Sequence, residues 1–367
     1  MTGEGRRMRN GAPRGNGRQT GAPTIADVAQ LAGVSPMTVS RVINAESNVR
    51  LSTREAVNAA IQQLDYAPNR AARRLAGAAQ IRLGLLYSNP SEAYLSAFLL
   101  GSLDQAGRSD IQLVVQKCDL GDHEREVAER LIRGGIDGII LPPPLCDSPI
   151  VLDVLLAARV PTVVVATSAQ PEGVGSVAID DRAAARAMTG HLLALGHQRI
   201  GFVTGDPNLA AAGERLAGYR QALESRGIAV DEALIARGLF SYRSGLDAAE
   251  ELLDRADPPS AIFASNDDMA AAAVAVAHRR GLDVPGDLTV CGFDDSTLAT
   301  TIWPELTTIH QPIADMSRAA VDLLASMLAG RRDGGVVRPR QVMFDYTLIR
   351  RQSDAAPRRR PVLAGRD

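Results

Sequence analysis

The stretch TIADVAQLAGVSPMTVSRVIN, residues 24–44, decides the fold of the N-terminal part of this 367-residue chain. Thr24 precedes an apolar pattern at helical spacing, and Asp27 follows three residues later, as the cap and first-turn acid of a helix would. Gly33 then allows a turn in which a β-carbon would be strained. Ser35 is suited to cap a second helix directly after that turn. The stretch therefore predicts a helix-turn-helix.

Apolar residues on the predicted helices recur at the spacing that forms one buried face. The inward residues of the first two helices are Ile25, Val28, Ala29, Leu31, Val39, Val42 and Ile43. A third helix, predicted over residues 52–64 with Ser52 as its cap, would close the core through Val57, Ala60, Ile61 and Leu64. The N-terminal part is therefore expected to be a small all-helical headpiece.

The outward residues of the second helix have the chemistry of a recognition helix. Pro36 fits its first position, where the missing N–H costs nothing. Arg41 can pair with two acceptors of a guanine, and Met37 can contact a thymine methyl group. Thr38 and Ser40 are suited to phosphate oxygens. Such residues near a helix start are typical of major-groove readers, although an αα-corner with a central glycine has a similar pattern.

A second basic segment, NRAARRLAG at residues 69–77, follows the helices. It is too short for a stable helix in water, so it is predicted to fold on a partner. Arg70, Arg73 and Arg74 supply positive charge, and Leu75 can enter a minor groove as an apolar wedge. The alternative is a solvated linker whose leucine packs on the next domain.

Charge is distributed unevenly along the chain. Residues 1–80 hold eleven arginines, no lysine and five acidic residues, a balance of +6, whereas the whole chain carries −2. A basic head on an acidic body indicates a polyanionic partner such as DNA. A generic charged tail is the alternative, since five of those arginines lie in residues 1–23, which are expected to be disordered.

Composition argues against several classes of protein. The longest apolar runs, such as AAAVAVA, fall short of the roughly 20 residues that a membrane span needs. Residues 1–23 contain no apolar stretch of a secretory signal. Cys118, Cys146 and Cys291 stand far apart, so neither a disulfide framework nor a metal site is predicted, and a cytoplasmic location is expected. No motif predicts a cofactor.

From residue 82 onward, short apolar runs alternate with helical patterns. The predicted strands are LGLLY (83–87), IQLVVQ (111–116), GIIL (138–141), TVVVA (162–166), IGFVTG (200–205), AIFAS (261–265) and LTVCGF (288–293). Continuous apolar strands are buried on both faces, as in parallel sheets flanked by helices. The pattern restarts after Asp180, which predicts an α/β body of two lobes with a cleft between them. Ligands of such sheets bind beyond the carboxyl ends of the strands.

Residues 24–77 resemble the headpiece and hinge of the LacI/GalR family of bacterial transcriptional regulators, and the resemblance extends to about residue 350. It implies a helix-turn-helix headpiece on a periplasmic-binding-protein-like body, and a homodimer. It also implies that Pro36, Met37 and Arg41 occupy base-reading positions.

By the same resemblance, Ala72 and Leu75 pair across the dimer and insert at a central CG step of a pseudo-palindromic operator. The predicted DNA-binding residues are Thr24, Ser35, Pro36, Met37, Thr38, Ser40, Arg41, Asn44, Asn69, Arg70, Ala72, Arg73, Arg74 and Leu75.

These patterns and the resemblance give the expected domain boundaries. They are a disordered basic segment at 1–23, a helix-turn-helix domain at 24–68, a hinge helix and linker at 69–80, an effector-binding and dimerisation domain at 81–350, and a disordered tail at 351–367. Within the body, the N-lobe is expected to hold residues 81–180 and 311–340, and the C-lobe residues 181–310 and 341–350.

The resemblance also implies a ligand site among polar residues that end the strands. Arg215, Asn266 and Asp294 fall where family members hold a sugar or nucleobase by hydrogen bonds, and Phe240 falls where a ring stacks on the ligand. The predicted effector-binding residues are Ser88, Asn89, Tyr94, Arg215, Phe240, Asn266, Asp294 and Gln311. A further pocket position that is acidic in a family member is Ala166 here, which would shift hydrogen bonding to Asp180 or Asn89.

Other aspartates near the strand ends have a structural interpretation. Acidic residues directly after a strand can cap the helix that follows. Capping is favoured for Asp180, Asp181, Asp267, Asp268 and Asp295, whereas ligand contact is favoured for Arg215 and Asp294.

The leading hypothesis is therefore a ligand-controlled transcriptional regulator that senses a sugar or sugar derivative. Of the possible modes of regulation, repression is favoured. A sensor of a nucleobase or phosphorylated metabolite, or a co-repressed regulator, remains an alternative. A carbohydrate-active enzyme is disfavoured because the chain lacks both a GxxxxGK[ST] phosphate loop and a GxSxG elbow. A transport binding protein is disfavoured by the missing secretory signal and the basic head.

Overall fold

The computed structural model describes residues 24–43, 49–64, 80–121, 123–167, 172–332 and 340–358. The chain divides into two compact units, a headpiece within residues 1–79 and a body within residues 80–367. The predictions for the segment 1–23, for Asn44 and for the hinge helix at 69–79 lie outside the described residues.

The headpiece contains the three expected helices, α1 (Ile25–Ala32), α2 (Pro36–Ile43) and α3 (Leu51–Gln63). At the start of α1, the Thr24 N–H donates to Asp27 Oδ2 at 2.8 Å, and the Asp27 N–H donates to Thr24 Oγ1 at 3.4 Å. Gly33 has φ +66, the left-handed backbone predicted for the turn. The buried residues of this core are Val28, Ala29, Val39, Val42, Val57 and Ala60.

Two details of the headpiece differ from the prediction. Leu31 is 45% exposed, because the buried stripe of α1 follows Ile25, Val28, Ala29 and Ala32, at i, i+3, i+4 and i+7. Ser52 does not cap α3: the helix already begins at Leu51, and Arg50 precedes it without a side-chain cap hydrogen bond.

The body contains every strand predicted from the sequence and several more. Its strands are β1 (Arg82–Tyr87), β2 (Gln112–Lys117), β3 (Gly138–Leu141), β4 (Thr162–Val165), β5 (Gly175–Ile179), β6 (Ile200–Val203), β7 (Ile235–Ala236), β8 (Ala261–Ala264), β9 (Thr289–Cys291), β10 (Thr308–His310), β11 (Gln341–Phe344) and β12 (Thr347–Ile349). β5, β7, β10, β11 and β12 were not predicted.

Helices alternate with these strands. They are α4 (Glu92–Arg108), α5 (Glu124–Arg133), α6 (Pro149–Ala157), α7 (Asp181–Ala194), α8 (Ala210–Glu224), α9 (Tyr242–Leu253), α10 (Asp267–Arg279), α11 (Leu298–Thr301) and α12 (Ile313–Arg332). None of the helices in the described segments is long and apolar enough to cross a membrane.

Two parallel sheets form the two lobes, as predicted. The N-lobe sheet has the order β11-β5-β4-β3-β1-β2, and the C-lobe sheet has the order β7-β6-β8-β9. The central strands are buried along their whole length, since helices cover both faces. In the C-lobe, α7 and α8 pack so closely that a β-carbon at Gly218 would meet the backbone oxygen of Arg182. β10 and β12 pair antiparallel in a separate two-stranded sheet.

The end of the body corrects two predicted boundaries. β11 pairs with β5 in parallel, so residues 341–344 belong to the N-lobe sheet and not to the C-lobe. Residues 351–358 were expected to be disordered, yet Ser353 and Asp354 are buried. The Val290 N–H donates to the Ser353 carbonyl at 2.9 Å, so this segment lies beside β9, the edge strand of the C-lobe sheet.

Asp354 is the polar anchor of this segment. Its carboxylate accepts hydrogen bonds from the Thr307 hydroxyl and from Arg350, and its Oδ2 lies 2.9 Å from His191 Nε2. Burial by itself raises the pKa of Asp354, but the bonds from His191 and Thr307 outweigh it and hold the pKa below the usual range.

Asp354→Ala is expected to lower the free energy of unfolding of the body by about 3 kcal/mol, because it leaves buried polar partners unpaired. Urea denaturation followed by circular dichroism measures this change. Asp345→Ala, which removes an exposed aspartate of the same C-terminal region, should stay within about 0.5 kcal/mol of the unsubstituted protein. Equal stability of the two variants would show that the segment is not anchored by Asp354.

Candidate functional site

A cavity lies between the lobes at the carboxyl ends of their strands. We call it the cleft cavity. Its N-lobe lining consists of Asn89, Pro90, Ser91, Tyr94, Pro143, Pro144, Asp147 and Ala166. Its remaining lining consists of Leu209, Ala211, Arg215, Phe240, Asn266, Asp294 and Gln311.

The cleft cavity brings together all but one of the residues predicted to bind an effector. The exception is Ser88, whose hydroxyl donates to Asp119 Oδ1 at 3.0 Å outside the cavity. Successive side chains of an extended segment point to opposite sides, so Asn89 faces the cavity and Ser88 does not. Whether the cavity residues bind an effector stays a prediction.

Arg215 is the central charge of the cavity and is only 4% exposed. Its Nε donates to Asp181 Oδ1 at 2.8 Å, and its Nη1 lies 3.8 Å from Asp294 Oδ1. The guanidinium carbon lies 3.5 Å from the centroid of the Phe293 ring, a cation–π contact. The cation is thus already balanced by two buried carboxylates.

Asp294 reaches the cavity through an unusual backbone. It has φ +109 and its neighbour Asp295 has φ +54, a left-handed conformation that costs energy for non-glycine residues and occurs often at functional sites. Burial raises the pKa of Asp294 well above its usual range; Arg215 opposes this rise and Asp267 adds to it. Gln311 Nε2 donates to Asp294 Oδ1, which fixes the orientation of both side chains.

Two predicted residues are held mainly by the protein itself. Asn266 caps α10, with its Oδ1 3.0 Å from the Met269 N–H, and its Nδ2 donates to the Phe240 carbonyl at 2.9 Å. A β-carbon at Gly205 would collide with the Phe240 ring. Asn266 and Gly205 therefore set the position of the ring that covers one side of the cavity.

Two other polar atoms of the cavity have no partner. Within the described part of the chain, Tyr94 Oη and Gln311 Oε1 are buried without a hydrogen bond. An unmet buried donor or acceptor costs about 1–3 kcal/mol. Burial, followed by the charge of Asp294, raises the pKa of Tyr94 well above its usual range, so its hydroxyl stays protonated. The cavity therefore offers one hydroxyl and one amide oxygen to a ligand.

The aspartates interpreted as caps mostly have other partners. Asp180 does cap α7, accepting the Ala183 N–H at 2.8 Å. The other four, however, pair as follows: Asp181 with Arg215, Asp267 with Thr308 and Ser296, Asp268 with Ser91, and Asp295 with His310 and Arg351. Asp180 and Asn266 take the cap positions of α7 and α10, so the acidic residues that follow them are left to pair with other groups.

Asp147 is a charged residue of the cavity lining that the sequence did not reveal. It lies in the 3-10 turn Leu145–Asp147 after β3. The surrounding proline-rich sequence predicts only a turn and gives no sign of a ligand site. Ala166 does line the cavity, as the prediction placed it, whereas Asp180 is not among the lining residues.

The groups of His, Cys, Asp and Glu in the described segments include none arranged to hold a metal ion.

Asp267, which lies behind the cavity wall, makes the stability of the body depend on pH. Burial, opposed by hydrogen bonds from Thr308 and Ser296, raises its pKa to about 7, whereas an aspartate in an unfolded chain titrates near about 3.9. The unfolded state therefore releases this proton first as pH rises, and this group's contribution to stability falls between those two values.

We expect the free energy of unfolding of the unsubstituted protein to fall relative to that of Asp267→Asn between about pH 4 and pH 7. Urea denaturation at several pH values in that window measures the difference. A pH-independent difference between Asp267→Asn and the unsubstituted protein would mean that Asp267 titrates normally.

The headpiece presents its predicted DNA-facing residues at the start of α2. Met37 is 65% exposed and Arg41 is exposed, with its Nη2 3.8 Å from Met37 Sδ. Ser35 caps the helix by accepting the Thr38 N–H at 3.2 Å. These residues form one outward surface, and their contacts with DNA stay a prediction.

Comparisons with known proteins find family matches for both the headpiece and the body. A family model described as "Bacterial regulatory proteins, lacI family" matches residues 24–69, and one described as "Periplasmic binding protein-like domain" matches residues 189–353. The HTH-type transcriptional regulator CelR of Thermobifida fusca is 36% identical over 338 residues, covering 90% of this chain and 98% of that protein. AscG of Escherichia coli K12 is 34% identical over 339 residues, covering 92% and 99%.

Solved structures extend the likeness to the fold. A CelR–cellobiose complex superposes with a TM-score of 0.69 at 34% identity, covering 90% of this chain and 99% of that chain. A Lac repressor dimer bound to operator and the anti-inducer ONPF superposes with a TM-score of 0.67 at 31% identity, covering 92% and 100%.

Proposed function

Since the chain belongs to the LacI family of bacterial regulatory proteins and is a DNA-binding transcriptional regulator, we propose that it is a cytoplasmic repressor controlled by a sugar or sugar derivative. In this proposal a homodimer binds a pseudo-palindromic operator through its headpieces. The sugar binds in the cleft cavity and changes the operator affinity. Coupling of this kind is typically about 1–3 kcal/mol, a 5–150-fold change in affinity.

The observation that carries the proposal is the pair of unpartnered atoms, Tyr94 Oη and Gln311 Oε1. A ligand hydroxyl can both donate to the amide oxygen and accept from the phenol. Phe240 adds an apolar ring at the same cavity, which suits the C–H face of a sugar. A polyhydroxylated ring therefore satisfies the unmet groups of the cavity.

The charges of the cavity disfavour a phosphorylated metabolite. Of the described lining residues, Asp147 and Asp294 are acidic and Arg215 is basic. Arg215 is already bound to Asp181 and to the Ser265 carbonyl. A phosphate would therefore find the cation of the cavity already occupied and a second acidic residue, Asp147, in the lining. A related protein, CelR, has been solved as a cellobiose complex, which supports a neutral sugar.

The operator contacts are proposed from the exposed surface of α2. Pro36, Met37 and Arg41 would read base edges, and Thr38 and Ser40 would bind phosphates. Asn44 and the hinge residues 69–75 complete the proposed interface, although they lie outside the described residues.

Tyr94→Phe is expected to weaken sugar binding by about tenfold, because it removes one hydrogen bond worth about 1.4 kcal/mol. Its melting temperature should stay equal or rise, because the lost hydroxyl has no protein partner. Titration calorimetry with glucose, galactose, cellobiose, adenosine and glucose 6-phosphate measures both ligand class and affinity.

Tyr219→Phe is the matched control for this experiment. Its hydroxyl donates to the Ile200 carbonyl at 2.8 Å, so this variant should lose stability and keep its sugar affinity. Binding of glucose 6-phosphate alone, or a Tyr94→Phe protein with full affinity for the sugar, would contradict the proposed ligand class.

Arg41→Ala is expected to weaken specific operator binding by about 1–3 kcal/mol, while nonspecific DNA binding changes less. An operator is first selected from random duplexes, and fluorescence anisotropy then compares the variants. Arg226→Ala, which removes an exposed charge of the body, should bind like the unsubstituted protein. Equal operator affinity of both variants would exclude Arg41 as a base-reading residue.

A further inference from the structure

We infer that Asp147 is the N-lobe carboxylate of the cleft cavity, and that it binds a ligand hydroxyl while also clasping the C-lobe through the start of α8. The inference rests on the proposed function, because it concerns how the same cavity recognises a sugar. Asp147 would then help decide which ligands close the cleft.

The clasp is a hydrogen bond that crosses between the lobes. Asp147 follows β3 of the N-lobe sheet, and its Oδ2 accepts the N–H of Ala210 at 3.0 Å. Ala210 is the first residue of α8, which belongs to the C-lobe. Helix α8 has Leu209 at its cap position and no side-chain cap hydrogen bond of its own. Asp147 therefore supplies a missing helix cap from the opposite lobe.

The helix held in this way also carries the central charge of the cavity. Arg215 lies on α8, one and a half turns after Ala210. A change at Asp147 would therefore act on the helix that positions the guanidinium. The negative carboxylate also suits the positive end of the helix dipole.

Asp147 takes the role that Ala166 cannot fill. Ala166 lines the cavity with only a methyl group, and its neighbour Thr167 donates its hydroxyl to Asp147 Oδ1. Asp147 is thus the carboxylate that the described N-lobe lining offers to the cavity. Asp294 lines the same cavity from the C-lobe, so each lobe contributes one acidic side chain to the lining.

The carboxylate still has capacity for a ligand. An ionised carboxylate has about four acceptor positions, and the hydrogen bonds from Ala210, Thr167 and the Cys146 thiol use only part of this capacity. The free positions suit a ligand hydroxyl that donates. A site built to bind a hydroxyl strongly rejects an analogue that lacks it. Asp147 is therefore assigned as a specificity-determining residue for a polyol.

A second bond between the lobes gives a useful comparison. Ser91 in the N-lobe donates its hydroxyl to Asp268 Oδ2 in the C-lobe at 2.6 Å. This bond is independent of Asp147 and remains when Asp147 is replaced. Loss of the Asp147 clasp should therefore loosen the start of α8 without unfolding the body.

Hydrogen–deuterium exchange on the sugar-free full-length protein tests the clasp directly. In Asp147→Ala, the amides at the start of α8 should exchange about tenfold faster than in the unsubstituted protein. Asp206→Ala is the control, because Asp206 lies in the loop directly before α8 but its side chain accepts the Asn208 N–H within its own turn, at 2.9 Å. Unchanged exchange at Ala210 in Asp147→Ala would overturn the clasp.

Titration calorimetry with cellobiose, glucose and galactose tests the ligand contact. Asp147→Asn keeps the shape of the side chain and should lower the affinity for the bound sugar at least tenfold, whereas Asp206→Ala should keep it. Full affinity in Asp147→Asn would overturn the assigned contact. If none of the three sugars binds the unsubstituted protein, the proposed function fails, while the exchange measurement still decides the clasp.

Discussion

The buried guanidinium of Arg215 is the constraint on which the body depends. A cation that is 4% exposed is tolerated only when carboxylates and hydrogen-bond acceptors surround it. Asp181, Asp294 and the Ser265 carbonyl meet this need from three different elements of the C-lobe. The close packing of α7 on α8, made possible by Gly218, brings the first of these within reach.

This arrangement also defines what the cleft can bind. Because Arg215 is neutralised by the protein, it orients Asp294 and does not attract an anion from solution. The groups left unmatched are neutral and small, a phenol hydroxyl at Tyr94 and an amide oxygen at Gln311. A neutral ligand rich in hydroxyl groups suits both the charge balance and the unmet hydrogen bonds.

The sequence predicted what local patterns can determine. Buried parallel strands appear as continuous apolar runs, and the capping box at Thr24 and Asp27 is a four-residue signal. Polar residues at strand ends also converge, because parallel strands place their carboxyl ends at one edge. Asn89, Asn266 and Asp294 could therefore be expected at the cleft from the strand ends, whereas Arg215, Phe240 and Gln311 were implied by the family resemblance.

What the sequence could not determine depends on contacts between distant segments. Asp147 matters because the first N–H of α8 lies opposite it, 63 positions along the chain. The segment with Ser353 and Asp354 is polar in composition, yet it is buried because Val290 and Thr307 hydrogen-bond to it. β11 is half exposed, so its pattern did not reveal that it extends the N-lobe sheet.

The central claim is that a sugar completes the hydrogen bonds that the cleft cavity leaves unmet. A crystal structure of the full chain with the sugar that it binds tests this most directly. The claim predicts sugar hydroxyls about 2.8 Å from both Tyr94 Oη and Gln311 Oε1, with Arg215 still paired to Asp181. A sugar bound elsewhere, or one that leaves both atoms without a partner, would contradict it.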